Sequence, residues 1–248
     1  MRNRFEGKVV VITGSTAGIG LAVAERFARE GAKVVVSSRK GKAVKETMAT
    51  LNCDGIVCNV SNNTERLALF EHVKKSYGRV NILVLNAATS LAFGQSEECD
   101  EARWDKMMDT NLKSGWLMSK QMVSIMPEKT SSIIFISSYA GFNPSSPIGV
   151  YGVTKTALLG LTKLLANEYG RKYQIRVNSV APGVIKTKFS QSLWETDEVR
   201  NISEMNAPLG RVGNVDEVAG PVAFLASNDA NYITGECIVI AGGTHCRL

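Results

Sequence analysis

The chain has 248 residues, of which 44% are hydrophobic and 21% are charged; this size predicts one large domain or two small ones, and the composition excludes disordered and collagen-like chains. No apolar run reaches the roughly 18 residues that a membrane-spanning helix needs, and the opening MRNRFEGK lacks the apolar core of a secretory signal. The net charge of +6 is spread over scattered lysines and arginines, which favours a solvated surface or a phosphate-bearing ligand over nucleic acid.

Cysteine usage indicates a reducing compartment. The chain has five cysteines, an odd number, with no Cys-x-x-Cys pair and only two histidines. These counts predict neither a disulfide framework nor a metal site, and we expect idle thiols. The cysteines are Cys53, Cys58, Cys99, Cys237 and Cys246.

Strands and helices are predicted to alternate along the whole chain. In the first half, β-branched apolar runs typical of strands cover residues 8–13, 33–38, 55–60 and 81–85. Amphipathic stretches typical of helices lie between them at residues 19–29, 42–51 and 62–77. In the second half, helices are predicted from Asp100 to about Met126, from Tyr151 to Tyr169 before Gly170, and over residues 215–225, with strands at 132–137, 175–180 and 237–240.

The predicted strands are continuous apolar runs, the pattern of a parallel sheet that is buried on both faces. We therefore predict an α/β fold with a single Rossmann-type, doubly wound parallel sheet and helices on both faces, spanning residues 1–248 as one domain. The least regular stretch, residues 189–213, is predicted to form a lid over the site, with a poorly ordered excursion as the alternative.

A glycine-rich turn, TGSTAGIG at residues 13–20, joins the first predicted strand to the first helix. Glycine permits a tight turn and lets the backbone approach a pyrophosphate, while the helix N-terminus offers free N–H groups. No Gly-Lys-Ser/Thr follows, which excludes a Walker loop. The pattern predicts a dinucleotide-phosphate loop, with an ordinary glycine turn as the alternative.

The end of the second predicted strand indicates which dinucleotide. It reads SSRK, with no carboxylate to bind the ribose 2′-hydroxyl of NAD. The Ser38 hydroxyl and the Arg39 guanidinium suit a 2′-phosphate instead, because arginine presents forked donors to phosphate. This pattern favours NADPH over NADH, and a solvated arginine at a strand end is the alternative.

Four residues form a candidate catalytic set. Tyr151 and Lys155 share one face at the start of a predicted helix, and we expect the ammonium to lower the pKa of the phenol toward neutrality. Tyr151 would then be a usable proton donor or acceptor. Ser138 ends the fifth predicted strand at the ligand-binding edge of the sheet, and Asn111 lies in the long helix, where it either bonds a backbone carbonyl or anchors a water.

These motifs together resemble the short-chain dehydrogenase/reductase family over essentially the full length. They are TGxxxGIG, the NAA at Asn86, Asn111, Ser138, the YxxxK of Tyr151 and Lys155, and Pro182-Gly183, in that order. Within the family the chain is most similar to peroxisomal NADPH-dependent carbonyl and retinal reductases. That closer similarity lies in SSR after the second strand, KTALLGLTK from Lys155, APGVIKT from Ala181 and the terminal Arg-Leu.

The resemblance implies a role for each residue. Tyr151 would be the general acid, Lys155 would hold the nicotinamide ribose, and Ser138 would bond the substrate oxygen. Asn111 would anchor a water in a proton relay. The implied NADPH/NADP⁺-binding residues are Gly14, Ser15, Gly18, Ile19 and Gly20 at the phosphates, Ser38 and Arg39 at the 2′-phosphate, Asn59 and Val60 at the adenine, Asn86 and Ala87 at the adenosine ribose, and Ile185 and Thr187 at the nicotinamide carboxamide and pyrophosphate.

Two positions depart from the family pattern. Many relatives have Asp-Val where this chain has Asn59-Val60, although an amide oxygen can still accept a hydrogen bond from the adenine amino group. Many relatives also read NNAG where this chain reads NAAT from Asn86.

The expected activity is NADPH-dependent reduction of small-molecule ketones or aldehydes, such as aromatic ketones, α-dicarbonyls or retinal. A 3-oxoacyl thioester reductase is the alternative enzyme, and a non-catalytic NADPH-binding sensor is the alternative of another class. Apolar residues predicted to form a pocket, or else to pack in the core, are Leu91, Phe93, Phe142, Pro144, Leu193 and Trp194.

Assembly and location are also predicted. The resemblance implies a homotetramer in which the helices from about Asp100 and from Tyr151 pack across an interface. The last three residues, Cys246-Arg247-Leu248, keep the small, basic and leucine positions of a Ser-Lys-Leu signal. We therefore expect a peroxisomal import receptor as a partner and a peroxisomal location, with the cytoplasm as the alternative.

Overall fold

A computed structural model describes residues 3–244, and its centre is a seven-stranded sheet in which every neighbouring pair is parallel. The strand order is β3-β2-β1-β4-β5-β6-β7. The strands are β1 (Val9–Thr13), β2 (Lys33–Ser38), β3 (Asp54–Val57), β4 (Ile82–Leu85), β5 (Ser132–Ile136), β6 (Arg176–Pro182) and β7 (Cys237–Ile240). The predicted doubly wound α/β fold is confirmed.

Eight helices connect and cover these strands within residues 3–244, and none of them is both long and apolar enough to cross a bilayer. They are α1 (Gly18–Arg29), α2 (Gly41–Leu51), α3 (Asn63–Tyr77), α4 (Glu101–Met108), α5 (Ser114–Met122), α6 (Gly149–Tyr173), α7 (Asp197–Met205) and α8 (Val215–Ala226). Their caps follow the sequence: the Asn62 side chain accepts a hydrogen bond from the Glu65 N–H at the start of α3, and Gly78 ends that helix in the left-handed region.

The core has two halves because successive strand residues point to opposite faces of the sheet. Val10 and Ile12 join one hydrophobic cluster with residues of α1, α2 and α8. Val11, between them, joins the other cluster with residues of α3, α5 and α6. This arrangement explains why the strands are apolar at every position rather than at alternate positions.

Several of the predicted helix and strand boundaries were wrong. The long helix predicted from Asp100 to Met126 is interrupted, because a π-helical turn at Asp109–Lys113 separates α4 from α5. The helix predicted to end before Gly170 continues to Tyr173 and ends at Gln174, which is left-handed. Helix α6 also begins earlier than predicted, at Gly149, and β3 ends at Val57 rather than at residue 60.

The segment after β6, residues 189–213, is more ordered than a simple excursion. It contains a 3-10 turn at Gln191–Leu193 and the amphipathic helix α7, whose N-cap Thr196 accepts a hydrogen bond from the Val199 N–H. Large apolar side chains in it are exposed, at Phe189, Ile202, Met205 and Leu209.

Candidate active site

A cleft of about 600 Å³ lies at the carboxyl edge of the sheet, beside the neighbouring strands β1 and β4, between which the strand order reverses. Most of the predicted site residues line it, and the structure brings them together from seven separate segments of the chain. They are Gly14, Gly18, Ile19, Ser38, Arg39, Asn59, Val60, Asn86, Ala87, Ser138, Tyr151, Lys155, Ile185 and Thr187. Ser15, Gly20 and Asn111 lie outside this lining.

The glycines of the loop after β1 are needed for backbone geometry and close packing. Gly14 and Gly18 have φ values of 62° and 56°, in the left-handed region that favours glycine. Gly20 is helical, but a Cβ there would overlap the Asn86 Nδ2 atom and the Gly14 carbonyl oxygen. Gly20 therefore lets α1 start directly against the loop.

Ser15 is turned away from the cleft. Its hydroxyl donates to the Ile12 carbonyl oxygen at 2.8 Å and accepts from the Ser37 N–H at 2.9 Å. Its own N–H donates to the Ser37 carbonyl oxygen at 3.1 Å. Ser15 thus ties β1 to β2 and shapes the loop.

Asn86 joins the end of β4 to the same loop. Its amide nitrogen donates to the carbonyl oxygens of Thr13 and Gly14 at 3.0 and 2.9 Å. The Thr13 hydroxyl accepts from the N–H groups of Asn86 and Ala87, both at 3.0 Å. These bonds hold the two strands in register across the crevice where the strand order reverses.

One end of the cleft is formed by Ser38, Arg39, Asn59 and Val60. Arg39 is exposed and forms no ion pair with any residue in the range 3–244. The Asn59 Oδ1 atom accepts from the Ser61 N–H at 3.2 Å, while the Val60 N–H has no hydrogen-bond partner within the same range. This end therefore offers a free guanidinium, a backbone donor and an amide acceptor.

At the other end, three polar side chains are buried in contact. Ser138 and Tyr151 are each 8% exposed, and Lys155 is 2% exposed. The Lys155 Nζ atom donates to the Ile136 carbonyl oxygen at 2.8 Å and lies 5.4 Å from the centroid of the Tyr151 ring. Helix α6 supplies Tyr151 and Lys155 one turn apart. Ser138 does not end β5 as predicted: it lies two residues beyond the strand, where it caps the 3-10 turn Tyr139–Gly141.

The prediction that the Lys155 ammonium lowers the pKa of Tyr151 toward neutrality was wrong. Burial raises the pKa of Tyr151 well above its ordinary value, and the neighbouring Ser138 hydroxyl offsets this only in part. Burial also lowers the pKa of Lys155 to about 7. The ammonium that was expected to stabilise the phenolate is therefore itself disfavoured, because both side chains lie in the same desolvated region.

Asn111 occupies the middle of the π-helical turn. Its Oδ1 atom accepts from the Thr89 N–H at 2.7 Å, and its Nδ2 atom donates to the Thr89 carbonyl oxygen at 2.9 Å and to the Thr154 hydroxyl at 3.0 Å. Thr154 in turn donates to the Tyr151 carbonyl oxygen at 2.7 Å. Asn111 thus clamps the loop after β4 to the part of α6 that carries Tyr151 and Lys155, and widened turns of this type are frequent at functional sites.

A larger cavity of about 1,410 Å³ adjoins this end and shares several residues with the first, among them Tyr139 and Leu193. Of the six apolar residues predicted to form a pocket, Phe93 and Leu193 line both cavities, whereas Leu91, Phe142, Pro144 and Trp194 line neither. The sequence analysis missed Phe189, whose ring centroid lies 5.9 Å from that of Tyr151. No periodicity marks Phe189, because it lies in an irregular segment.

All charged residues that line the first cavity are cations. Besides Arg39 and Lys155, they are Lys106 on α4 and Lys188 after β6, neither of which the sequence analysis selected. Lys106 lies four residues before Thr110, which also lines the cavity. Because residues four apart share one face of a helix, this spacing could have indicated that Lys106 faces the site. In the described part of the chain no group of three or more His, Cys, Asp or Glu side chains is arranged to hold a metal.

The comparison with known families decides the classification. A family model described as enoyl-(acyl carrier protein) reductase matches residues 14–245. Short-chain dehydrogenase/reductase SDRA of Arabidopsis thaliana is 46% identical over 250 residues, covering 99% of this chain and 97% of that protein. The chain belongs to the short-chain dehydrogenase/reductase family. Members of this family are oxidoreductases that use the nicotinamide cofactors NAD or NADP.

Other relatives of this short-chain dehydrogenase/reductase are similar over almost their whole length. Dehydrogenase/reductase SDR family member 4 of Homo sapiens is 44% identical, covering 100% of this chain and 91% of that protein. Tropinone reductase-like 3 of Erythroxylum coca is also 44% identical, with 99% and 96% covered. A crystal structure of a glucose/ribitol dehydrogenase of the family, from Brucella melitensis, superposes with a TM-score of 0.93 at 29% identity and 100% coverage of both chains.

Proposed function

We propose that this protein is an NADPH-dependent carbonyl reductase. The observation that carries the proposal is the buried set of Ser138, Tyr151 and Lys155, which lines the same cleft as the glycine loop after β1. A glycine loop alone fits any dinucleotide-binding protein. The additional desolvated phenol, with a hydroxyl and an ammonium beside it, is the equipment for moving a proton to a carbonyl oxygen.

The residues of the cleft fit NADPH. Helix α1 directs its N-terminus toward the glycine loop, which suits a pyrophosphate. Arg39 and Ser38 supply a cation and a hydroxyl for a 2′-phosphate, and the absence of a carboxylate among the described lining residues removes the group that would bind the 2′-hydroxyl of NAD. Asn59 and Val60 offer an acceptor and a donor for the adenine edge.

The nicotinamide supplies the hydride when it is bound, and the chain supplies the proton. Tyr151 is protonated at neutral pH because burial raises its pKa, so it is ready to donate to the carbonyl oxygen of the substrate. Ser138 donates to the same oxygen, and the two hydroxyls stabilise the negative charge that develops on it. The positive charge of oxidised nicotinamide would then lower the pKa of Tyr151 for the reverse reaction.

Lys155 is suited to returning the proton to Tyr151. Its pKa of about 7 allows it to gain and lose a proton near neutral pH, and its Nζ atom is fixed by the Ile136 carbonyl oxygen. We propose that it holds the nicotinamide ribose and relays protons through a water anchored at Asn111. Because the Asn111 side chain is committed to Thr89 and Thr154, its backbone carbonyl is the group assigned to that water.

The proposed substrates are aromatic ketones, α-dicarbonyls or retinal. Phe189 beside Tyr151 and the large adjoining cavity favour substrates with a flat or extended apolar part. A 3-oxoacyl thioester reductase is the second candidate, because Lys106 and Lys188 favour an anionic carrier such as coenzyme A at the mouth of the cleft. A non-catalytic NADPH sensor would have no need of the buried catalytic set.

A turnover assay separates these possibilities. The purified protein is mixed with NADPH and a panel that includes a simple diketone, an aryl ketone, retinal and a 3-oxoacyl-coenzyme A, and the NADPH absorbance is followed. We expect NADPH oxidation with a free carbonyl compound and much slower oxidation of NADH. Turnover with the thioester alone would select the second candidate, and NADPH binding without any turnover would select the sensor.

We also propose one domain over residues 1–248 with a lid at residues 189–213, a homotetramer, and peroxisomal import. The proposed signal, Cys246-Arg247-Leu248, lies outside the described residues, so the import proposal rests on the sequence. Its test is a fluorescent protein that carries the last ten residues with or without Leu248. Punctate signal that requires Leu248 supports import, and diffuse signal from both supports a cytoplasmic enzyme.

A further inference from the structure

Arg66, in the first turns of α3, is a buried arginine without an acidic partner. It is 4% exposed, it forms no ion pair with any residue of the range 3–244, and its Nε atom has no hydrogen-bond partner there. Burial of a guanidinium without a carboxylate is costly unless hydrogen bonds replace its lost hydration. The contacts that it does make therefore indicate its use.

Both terminal nitrogens of Arg66 bond to the turn that leads from β3 into α3. The Nη1 atom donates to the Val60 carbonyl oxygen at 2.6 Å, and the Nη2 atom donates to the Asn63 Oδ1 atom at 3.1 Å. The Arg66 N–H donates to the Asn62 carbonyl oxygen at 3.1 Å. We call residues 59–63 the β3–α3 turn.

The β3–α3 turn is braced on its other sides as well. The Asn62 N–H donates to the Asn59 carbonyl oxygen at 2.8 Å, and the Ser61 hydroxyl bonds the Thr110 hydroxyl at 2.9 Å. Among the described residues, however, Arg66 supplies the hydrogen bond that holds the Val60 carbonyl. As a result, two groups lie next to each other at the cleft: the Val60 N–H and the Asn59 amide oxygen. The Val60 N–H has no hydrogen-bond partner among residues 3–244.

The charge of Arg66 also reaches the cleft. Burial raises the pKa of the cleft-lining Cys58 thiol to about 11, and the charges of Glu65 and Arg66 act on it in opposite directions. Arg66 is thus close enough to affect the electrostatics of the lining, although its side chain does not itself line the cavity.

We propose that Arg66 is a positioning residue for the adenine of the cofactor, an inference that rests on the proposed use of NADPH. By fixing the Val60 carbonyl, it keeps the Val60 N–H and the Asn59 amide oxygen side by side as a donor and an acceptor. Adenine presents the complementary pair, the N1 acceptor and the 6-amino donor. Hypoxanthine presents the reverse pair, N1–H and O6, so the turn discriminates between the two bases.

The test compares NADP⁺ with nicotinamide hypoxanthine dinucleotide phosphate, using calorimetric dissociation constants of the full-length protein. The wild type is expected to bind NADP⁺ about tenfold more tightly, as the loss of one to two net hydrogen bonds predicts. Arg66→Met removes the donors at similar volume, and we expect the discrimination to fall to about threefold or less. The KM for NADPH should rise while kcat at saturating NADPH changes little.

Arg176→Met is the matched control. Arg176 donates to the carbonyl oxygens of Leu225 and Ser227, and none of these three residues lines the cleft. Its replacement should lower the melting temperature and leave the base discrimination unchanged. If Arg66→Met behaves in the same way as Arg176→Met, Arg66 is only structural and the inference is wrong.

A second variant keeps the test decisive if Arg66→Met does not fold. Asn63 is exposed, and Asn63→Ala removes the oxygen that accepts the hydrogen bond from the Arg66 Nη2 atom. We expect the discrimination between the two nucleotides to fall about threefold. An unchanged ratio of their dissociation constants contradicts the inference. Equal binding of both nucleotides by the wild type contradicts it too, while leaving the reductase proposal intact. Failure of the wild type to bind either nucleotide overturns the reductase proposal and the inference with it.

Discussion

At the scale of single residues, burial sets the chemistry of the site. Tyr151 and Lys155 lie in one desolvated region, and burial favours the uncharged form of each: it raises the pKa of the phenol and lowers the pKa of the ammonium to about 7. In the proposed reaction, a proton can therefore be kept on Tyr151 for donation and exchanged at Lys155 near neutral pH. Sequence spacing predicted that these residues meet, but it could not show the desolvation that reverses the expected pKa shift of Tyr151.

The lowered pKa of Lys155 predicts a pH dependence of stability. Between about pH 7 and about pH 10 the unfolded chain holds a proton on Lys155 that the folded chain has lost, so the free energy of unfolding rises with pH through this window. Lys155→Met should reduce that slope by on the order of 1 kcal/mol per pH unit. Urea unfolding of both proteins at several pH values measures the slopes, and identical slopes would contradict the lowered pKa.

Arg39 predicts the choice of cofactor. A charge-assisted contact to a 2′-phosphate is worth about 1.5–3 kcal/mol, so Arg39→Ala should weaken NADPH binding roughly 10- to 150-fold and spare NADH. Lys40→Ala is the control, because Lys40 is an adjacent exposed cation outside the cleft lining. Dissociation constants for both cofactors check this, and equal weakening of NADPH and NADH would exclude Arg39 as the 2′-phosphate ligand.

At the scale of elements, the strands and the glycine loop were predictable because local patterns determine them. The apolar runs of β1 and β2 match the observed burial on both faces, and β2 and β7 have the predicted bounds. The π-helical turn at Asp109–Lys113 was not predictable, since it depends on contacts of Asn111 with Thr89 and Thr154, which are remote in the sequence. Gly170 did not end α6, because Tyr173 in the last turn still packs against the core and the Tyr169 ring.

The junction of α1 with the glycine loop predicts a sharp effect of one methyl group. Gly20→Ala should destabilise the protein by about 1–3 kcal/mol, because the new Cβ overlaps Asn86 and Gly14. Gly170→Ala is the control: this helical position near the end of α6 has nothing within 4 Å, so the change should raise stability by about 0.5–1 kcal/mol. Chemical denaturation measures both. A neutral Gly20→Ala would show that the loop and helix are not tightly joined.

At the scale of the whole molecule, the proposed tetramer would cover apolar side chains that one chain leaves in solvent. Trp104 on α4, Trp116 on α5, and Val153 and Leu164 on α6 are between 40% and 51% exposed. These are the helices that the family resemblance assigns to an interface. The sequence alone could not separate this surface from core, since both need apolar faces on the same helices.

Trp116→Arg tests that interface. A buried arginine without a partner disfavours association, so we expect the mass in solution to fall from a tetramer toward smaller species. Leu67→Arg is the control, because Leu67 is 44% exposed on α3, outside the proposed interface. Light scattering coupled to gel filtration gives the masses. An unchanged tetramer in Trp116→Arg would remove α5 from the interface, and a monomeric wild type would overturn the assembly.

The central claim is that Tyr151 gives the proton in an NADPH-dependent reduction, and the Tyr151→Phe variant tests it most directly. The phenyl ring keeps the packing against Phe189, and the glycine loop is untouched, so NADPH affinity by fluorescence titration should stay close to that of the wild type. Turnover of a carbonyl substrate should fall by about 10²–10⁴-fold, the usual worth of a general acid. A variant that keeps more than about a tenth of wild-type turnover, well above the range expected for a lost general acid, would contradict the account.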